Sequence, residues 1–309
     1  MKKSVFIDGS AGTTGLRIKD RLAARNDIEL IILSEADRKS DMRRKEALNS
    51  ADIAFLCLPD AAAVQAVQMC ENPNTVILDA STAHRTAPGW TYGLPELDLQ
   101  LRRRLSVSKR IAVPGCHASG FIALVKPLID AGVIGACARL CCMSLTGYSG
   151  GGKKMIEQYR SPDRSALLDA PRQYGLNQTH KHLAEMRAVC GLAHSPIFCP
   201  VVADFYSGME VTVPLFAADI GAGADDIRRI YSELYRGPVI SFDDSDDADG
   251  FMSAAALSGS DAMRVSVKGN GERILLVARY DNLGKGASGA AVQCMNIVMG
   301  TDETEGLQL

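Results

Sequence analysis

The sequence has no surplus of either charge. Its 34 Lys and Arg stand against 36 Asp and Glu, for a formal net charge of −2. No basic excess is available to displace counterions from phosphates, so no nucleic-acid partner is expected. Long apolar runs are missing too. Stretches such as Ile274–Ala278 fall far short of the roughly 20 residues that span a bilayer, so no membrane partner is expected. Two lysines precede Val5-Phe6-Ile7, but that run meets Asp8-Gly9 at once and forms no signal-peptide core. The nine cysteines are odd in number and include no C-x-x-C pair. A disulfide framework and a zinc ribbon both fit badly, and no metal is expected. The reading is of reduced thiols in a cytoplasm, one of them a candidate nucleophile. No internal repeat or low-complexity segment stands out.

What is present is alternation. A chain of 309 residues suggests two domains of ordinary size. Ser4–Asp8 reads as a strand, Thr13–Arg25 as a helix, and Ile28–Leu33 as a buried parallel strand. Met42–Leu48 reads as a basic surface helix, Asp52–Leu58 as a strand, Ala61–Cys70 as a helix and Thr75–Asp79 as a strand. This order predicts an α/β nucleotide-binding domain with a doubly wound, mostly parallel sheet, whose ligand lies at the carboxyl ends of the strands. The second half differs. Met209–Leu215, Met263–Lys268 and Arg273–Tyr280 are longer strands, with Ala224–Arg236 an amphipathic helix among them. They predict an α+β domain with a mixed or antiparallel sheet. Asp243–Asp249 reads as an exposed acidic loop. The last helix, Ala287–Met299, has one apolar face and is expected to return to the first domain.

Gly9-Ser10-Ala11-Gly12-Thr13-Thr14-Gly15 follows the first strand and opens the first helix. Glycines there admit a pyrophosphate to the backbone, and the helix N-terminus favours its charge. The spacing is G-x-x-G-x-x-G, and its place in the first βα turn is what gives it weight. The second strand ends at Ser34, where NAD would call for a carboxylate, and Arg38-Lys39 follow. A small polar residue plus basic ones suits a 2′-phosphate, so NADP is expected. Glu35 and Asp37 lie between them, and a plain solvated turn is the alternative.

Val113-Pro114-Gly115-Cys116-His117-Ala118-Ser119-Gly120 carries the thiol signal. A cysteine at a helix start feels the positive end of the helix dipole, which raises its thiolate fraction. The other eight thiols lack this setting. Cys57 is read within an apolar strand, Cys70 ends a helix, and Cys137, Cys141 and Cys142 lie in an apolar run. A thiolate nucleophile wants a histidine. His117 is expected to point to a different helix face. His84 follows the fourth strand. His180-Lys181-His182, with Glu185 to orient or charge an imidazole, is the remaining cluster, and a polar helix start with two solvated histidines is its alternative.

Taken together, Gly9–Gly15, Val113–Cys116 and Asp281-Asn282-Leu283-Gly284-Lys285-Gly286 through Gln293 resemble the N-acetyl-gamma-glutamyl-phosphate reductase family, within the aspartate-semialdehyde dehydrogenase superfamily. Thr146–Gly152 and His180-Lys181-His182 with Glu185 also fit the family's pattern. The likeness runs from Val5 to Gly300, and Gly115-Cys116-His117-Ala118-Ser119 resembles its shorter form. The resemblance implies an enzyme that uses NADP to reduce N-acetyl-L-glutamyl 5-phosphate to the 5-semialdehyde with release of phosphate, a step of arginine biosynthesis. It implies Cys116 as nucleophile, His180 or His182 as acid/base, and Asn282-Leu283-Gly284 near the nicotinamide. It also implies an NADP-binding domain of residues 1–115 and 286–309, a substrate and dimerisation domain of 116–285, and a homo-oligomer, dimer or tetramer.

The substrate's phosphate and α-carboxylate require cations. Arg85, Lys153 and Lys154, each after a Gly- or Ser-rich turn, are the nominees, with surface charge as the alternative. Three other functions are weighed. Aspartate-semialdehyde dehydrogenase activity on a shorter acyl phosphate is disfavoured because no histidine follows His194. A lysine-pathway relative acting on a carrier-linked substrate lacks the basic excess to support it. A non-catalytic NADP sensor needs neither Cys116 nor the histidine pair.

Overall fold

The computed structural model describes residues 2–247 and 250–309. The chain forms two compact units: Met1–Pro114 with Ala287–Leu307, and Gly115–Gly286 with Gln308–Leu309.

The first unit runs β1 (Lys3–Asp8), α1 (Thr13–Ala23), β2 (Ile28–Ile31), α2 (Asp41–Ser50), β3 (Ile53–Leu56), α3 (Asp60–Met69), β4 (Val76–Asp79), β5 (Thr91–Tyr92), α4 (Leu99–Val107) and β6 (Arg110–Ala112). The strands lie in the order β2-β1-β3-β4-β6-β5, and every neighbouring pair is parallel. This is the doubly wound sheet the alternation predicts. β3 and β4 are fully buried, which is why they read as unbroken apolar runs. β2 departs from expectation. It is an edge strand that ends at Ile31, with Glu29 exposed, because no strand among the described residues pairs with its outer side. The chain reverses direction across the sheet between β1 and β3, and the carboxyl ends of these two strands are where such sheets take their ligands.

α2 is not the plain surface helix its basic sequence suggests. Arg44, Ala47 and Leu48 form a buried stripe at i, i+3, i+4. Arg44 keeps its charge inside by a forked contact with Asp8: Nε donates at 3.2 and 3.1 Å to the two carboxylate oxygens and Nη2 donates at 2.9 Å. The C-terminal helix Gly289–Met299 packs on α4, α1 and β4. It was expected to bury one face, yet every residue from Gly289 to Asn296 is buried. Its polar members are satisfied inside. Gln293 donates to Glu96 and Glu303, and Asn296 accepts from Arg25.

The second unit runs α5 (Cys116–Asp130), β7 (Cys141–Gly147), α6 (Gly152–Arg160), β8 (Arg172–Gln173), α7 (His182–Cys190), β9 (Ile197–Ala203), β10 (Met209–Phe216), α8 (Ala217–Ile220), α9 (Ala224–Leu234), β11 (Ile240–Phe242), β12 (Met263–Gly269) and β13 (Arg273–Tyr280). Its sheet, ordered β11-β12-β13-β10-β7-β9-β8, is mixed: β11/β12 and β7/β9 are parallel and the rest antiparallel. α5 lies on β10 and β13, flanked by α7 and α9. The opposite face carries Met143, Ile197 and Phe216, exposed by 51%, 62% and 60%. These residues sit among the half-buried Cys141, Cys199 and Val201.

The acidic segment is pinned rather than free. Asp244 accepts from Arg228 Nε and the Val267 N–H, both at 2.8 Å, and Asp247 accepts from Arg279 at 2.7 Å. Lys268 of β12 lies 2.7 Å from Asp246, so with Arg228 of α9 and Arg279 of β13 three cations account for the fold of a stretch with no apolar pattern. Asp249 lies outside the described residues. Among the described residues, no helix is long and apolar enough to cross a membrane.

Candidate active site

In the first unit, the turn after β1 is shaped for a diphosphate. Gly9 has φ +88°, and a Cβ there would lie 2.3 Å from the Cys57 carbonyl oxygen. A Cβ on Gly15 would lie 2.4 Å from the Gly9 carbonyl oxygen. Both positions exclude a side chain, so the backbone surface stays open. α1 starts at Thr13 after an N-cap Gly12 that supplies no side-chain cap, leaving its first N–H groups for an anion. A cleft of about 370 Å³ lies here, lined by Asp8, Gly9, Gly12, Arg38, Lys39 and Arg44 among others. Ser10, Thr13 and Thr14 lie in the same turn and the first turn of α1. Ser34 donates its hydroxyl to Asp37 at 2.7 Å, and its oxygen accepts the Asp37 N–H at 3.1 Å, so it shapes the turn that carries Arg38. Arg38 pairs loosely with Glu35 at 3.6 Å. Cys57 sits just past β3 in the cleft wall. Burial, then the charges of Asp79 and Asp8, push its thiol up to about 12, which keeps it protonated.

In the second unit, Cys116 is the first residue of α5, after an N-cap Gly115 that supplies no side chain. Two side chains fix this helix start. Glu185, 1% exposed on α7, accepts the Gly115 N–H at 3.1 Å. Tyr280, at the end of β13, donates to the Cys116 carbonyl at 2.5 Å and accepts the Gly120 N–H at 3.0 Å. The thiol of Cys116, a ring nitrogen of His117 and one of His182 all lie within 4.8 Å of one another. The ring of His180 stands 4.8 Å from that of His182, edge to face. His180 Nδ1 accepts the His182 backbone N–H at 3.2 Å, so a neutral His180 carries its proton on Nε2. Glu185 Oε1 lies 4.0 Å from His182 Nε2. The four residues nominated from the sequence, Cys116, His180, His182 and Glu185, are therefore brought together.

His117 was expected to point elsewhere, and that expectation fails. α7 packs against α5 on the side His117 faces, so the imidazole sits inside the cluster. Both its nitrogens are engaged, Nδ1 with Ser144 Oγ and Nε2 with the Tyr174 phenol, each at 2.7 Å. Burial, then the charge of His180, lowers its pKa to about 3. It is a neutral structural imidazole at working pH. Burial and the nearby Cys116 charge raise the Tyr174 phenol, so it stays a hydrogen-bond donor. Tyr174 and Tyr280 had no signal in the sequence. Cys137, read as a packing residue, is exposed, since it lies in the loop before β7.

The remaining nominees are placed as follows. Arg85 belongs to the first unit and donates to the Val113 and Ala80 carbonyls at 3.0 and 3.1 Å. Lys153 and Lys154 are exposed in the first turn of α6. Asn282, 1% exposed, accepts the Gly208 N–H at 2.9 Å and donates to Ser149 Oγ at 3.0 Å. Both ends of its amide thus hold the turns around the site.

Residues 4–103 match the family described as semialdehyde dehydrogenase, NAD binding domain, and residues 116–282 match semialdehyde dehydrogenase, dimerisation domain. The N-acetyl-gamma-glutamyl-phosphate reductase of Trichormus variabilis is 44% identical, with 99% of each chain covered. That of Rhizobium meliloti is 44% identical, with 97% of this chain and 99% of its own covered. The chain belongs to the N-acetyl-gamma-glutamyl-phosphate reductase family. As a member it is an oxidoreductase with a nicotinamide-nucleotide domain. The fold extends further than the family. Aspartate semialdehyde dehydrogenase II of Vibrio cholerae, solved with ASA, superposes with a TM-score of 0.74 at 16% identity, covering 97% of this chain and 99% of that one. The enzyme of Candida albicans, solved with NADP, gives 0.68 at 15%, with the same coverage. At such identities the likeness shows the fold alone.

Proposed function

We propose that the chain reduces N-acetyl-L-glutamyl 5-phosphate to N-acetyl-L-glutamate 5-semialdehyde, with NADP as its cofactor and in the cytoplasm, as a step of arginine biosynthesis. The observation that carries the reading is Cys116 at an uncapped helix start, within 4.8 Å of a His182 nitrogen, in a chain 44% identical to reductases of that name.

The acid/base role goes to His182 rather than His180, because His182 shares the close cluster with the thiol and faces Glu185. The α5 dipole favours the Cys116 thiolate. The thiolate adds to the acyl carbon, the carbon–oxygen bond to phosphate breaks, and a thioester remains. Phosphate is a good leaving group and needs no strong acid. Bound in the first unit, the nicotinamide supplies the hydride that this thioester accepts. His182 then gives a proton to the thiohemiacetal oxygen and later takes it back as the C–S bond breaks. The aldehyde and the thiolate are released. Backbone N–H groups at the start of α5 steady the oxyanion. Glu185 keeps the helix start in place through Gly115 and sets a negative charge beside His182.

For the nucleotide, Gly9, Ser10, Gly12, Thr13, Thr14 and Gly15 take the diphosphate. Ser34 and Arg38 take the 2′-phosphate, for which Arg38 gives up Glu35. Asn282 acts through the turns it holds. Lys153 and Lys154 serve the substrate phosphate, and Arg85 braces the loop after β4 while offering the rest of its charge. The apolar free face of the second sheet is where two copies associate, in keeping with the dimerisation-domain family it matches.

The test is nucleotide reduction with N-acetylglutamate semialdehyde or aspartate semialdehyde, each with phosphate. Turnover of the acetylated substrate alone is expected, and faster with NADP than with NAD. Cys116→Ala should lose turnover by about 1,000-fold or more while still binding NADP. Wild-type kcat in that variant would remove the covalent route.

A further inference from the structure

Arg172 is a half-buried arginine with no carboxylate partner among the described residues. Asp169 and Asp204, the acids nearest to it along the chain and across the sheet edge, are both committed to Arg164, at 2.6 and 2.7 Å. The Arg172 guanidinium is held instead by Tyr159. Its Nη2 donates to the phenol oxygen at 3.2 Å, and its carbon sits 5.5 Å from the ring centre. Nε is buried and has no acceptor. Holding a half-buried arginine without a counter-charge is unfavourable, and its buried Nε–H without an acceptor adds to the cost. Nη1, which no hydrogen bond engages among the described residues, is the nitrogen left for an oxyanion from outside the chain.

Its place relative to the thiol gives the oxyanion an identity. Arg172 opens β8, and Tyr174 continues the pairing with β9 through its N–H to the Pro200 carbonyl at 3.0 Å. Residues two apart in extended chain point the same way, roughly 7 Å apart. Tyr174 reaches His117 in the Cys116 cluster, and it also packs against the cluster of Tyr159, Leu168 and Val202. Arg172 thus shares a strand face with Tyr174, which meets His117 beside the thiol. An anion held there suits the end of the substrate away from its reacting carbon. Lys153 and Lys154, exposed on α6, lack this enclosure.

We propose that Arg172 binds the α-carboxylate of the acyl-phosphate substrate and so selects it; this rests on the function proposed above. Planar guanidinium against planar carboxylate, with Tyr159 fixing the fork, is the geometry such recognition uses.

The experiment is the reverse reaction of Arg172→Leu and Arg172→Lys with NADP, phosphate, and either N-acetylglutamate semialdehyde or the same aldehyde lacking its carboxylate. In the leucine variant kcat/KM for the carboxylated aldehyde should fall about 10- to 100-fold, through KM. The KM for phosphate should hold, and the preference over the decarboxylated aldehyde should vanish. Lysine should restore part of it. Tyr159→Phe removes the phenol but not the charge, so it should keep most of the preference. If it instead matches the leucine variant, packing rather than charge is responsible and the proposal fails. A preference kept in the leucine variant sinks it, and so does a rise confined to the phosphate KM, which would make Arg172 a phosphate ligand. If the wild type ignores the acetylated aldehyde, the proposed function falls and takes this inference with it.

Discussion

Glu185 reaches the Gly115 N–H at 3.1 Å through one carboxylate oxygen and stands 4.0 Å from His182 Nε2 with the other. One buried side chain on α7 therefore holds the residue before the nucleophile and places charge beside the imidazole that serves it. The two duties separate by substitution. Glu185→Gln keeps an oxygen for Gly115 but loses the charge. It should melt near the wild-type temperature, with kcat lowered about 10-fold. Glu185→Ala also leaves a buried N–H unpaired, and should cost a further 1–3 kcal/mol or so of stability. Denaturation midpoints beside kcat decide between them. Equal loss of stability in both variants would mean the hydrogen bond is not what Glu185 contributes.

His117 predicts how stability depends on acid. Burial and His180 lower its folded pKa to about 3, against an ordinary value of 6.5. The unfolded chain binds this proton first, so stability present above pH 6.5 is lost as pH falls towards 3, about 5 kcal/mol when complete. The groups facing the ring are Cys116, Ser144, Tyr174, His180, His182 and Phe198; the Cys116 thiol is the one acid among them, and none is a carboxylate. Urea midpoints taken from pH 7 to pH 4 should therefore fall more steeply in the wild type than in His117→Gln, which keeps a donor and an acceptor. Parallel slopes would place the acid sensitivity elsewhere.

What was legible from the sequence was what is local. β3, β4 and β10 declare themselves by apolar pattern, the Gly9–Gly15 turn by its spacing, and Cys116 by its place at a helix start. The edge position of β2 was hidden because an apolar run looks the same with one neighbour or two. α4 went unread although Asp98 caps it, since its arginine-rich body gives little period. Contacts between distant residues left no trace. His117 meets Tyr174 across 57 positions, and Arg44 meets Asp8 across 36.

That last pair carries its own prediction. Arg44 and Asp8 are 8% and 5% exposed, and Arg44 also donates to Asp41 at 3.0 Å. Arg44→Leu strands the Asp8 carboxylate beside the nucleotide turn, and should destabilise the chain by about 3–5 kcal/mol. Arg44→Leu with Asp8→Leu should recover much of that loss, because the cost lies in the unpaired charge rather than in the missing contact. Thermal unfolding of the two single variants and the double variant measures it. A double variant no more stable than Arg44→Leu would show that packing, not charge, sets the loss.

The free face of the second sheet gives a prediction about assembly. Met143, Ile197 and Phe216 project from β7, β9 and the end of β10 on the side that α5 does not cover. A sheet with one solvated face normally alternates polar residues there, so three large apolar side chains suit the contact between two copies proposed above. A carboxylate at the middle of an apolar interface is disfavoured on both copies at once, whereas on a solvated surface it is nearly neutral. Met143→Asp should therefore leave the monomer's circular dichroism intact and shift its sedimentation coefficient from that of a larger species to that of one chain. If Met143→Asp sediments like the wild type at every concentration, the copies meet elsewhere and this face has another partner.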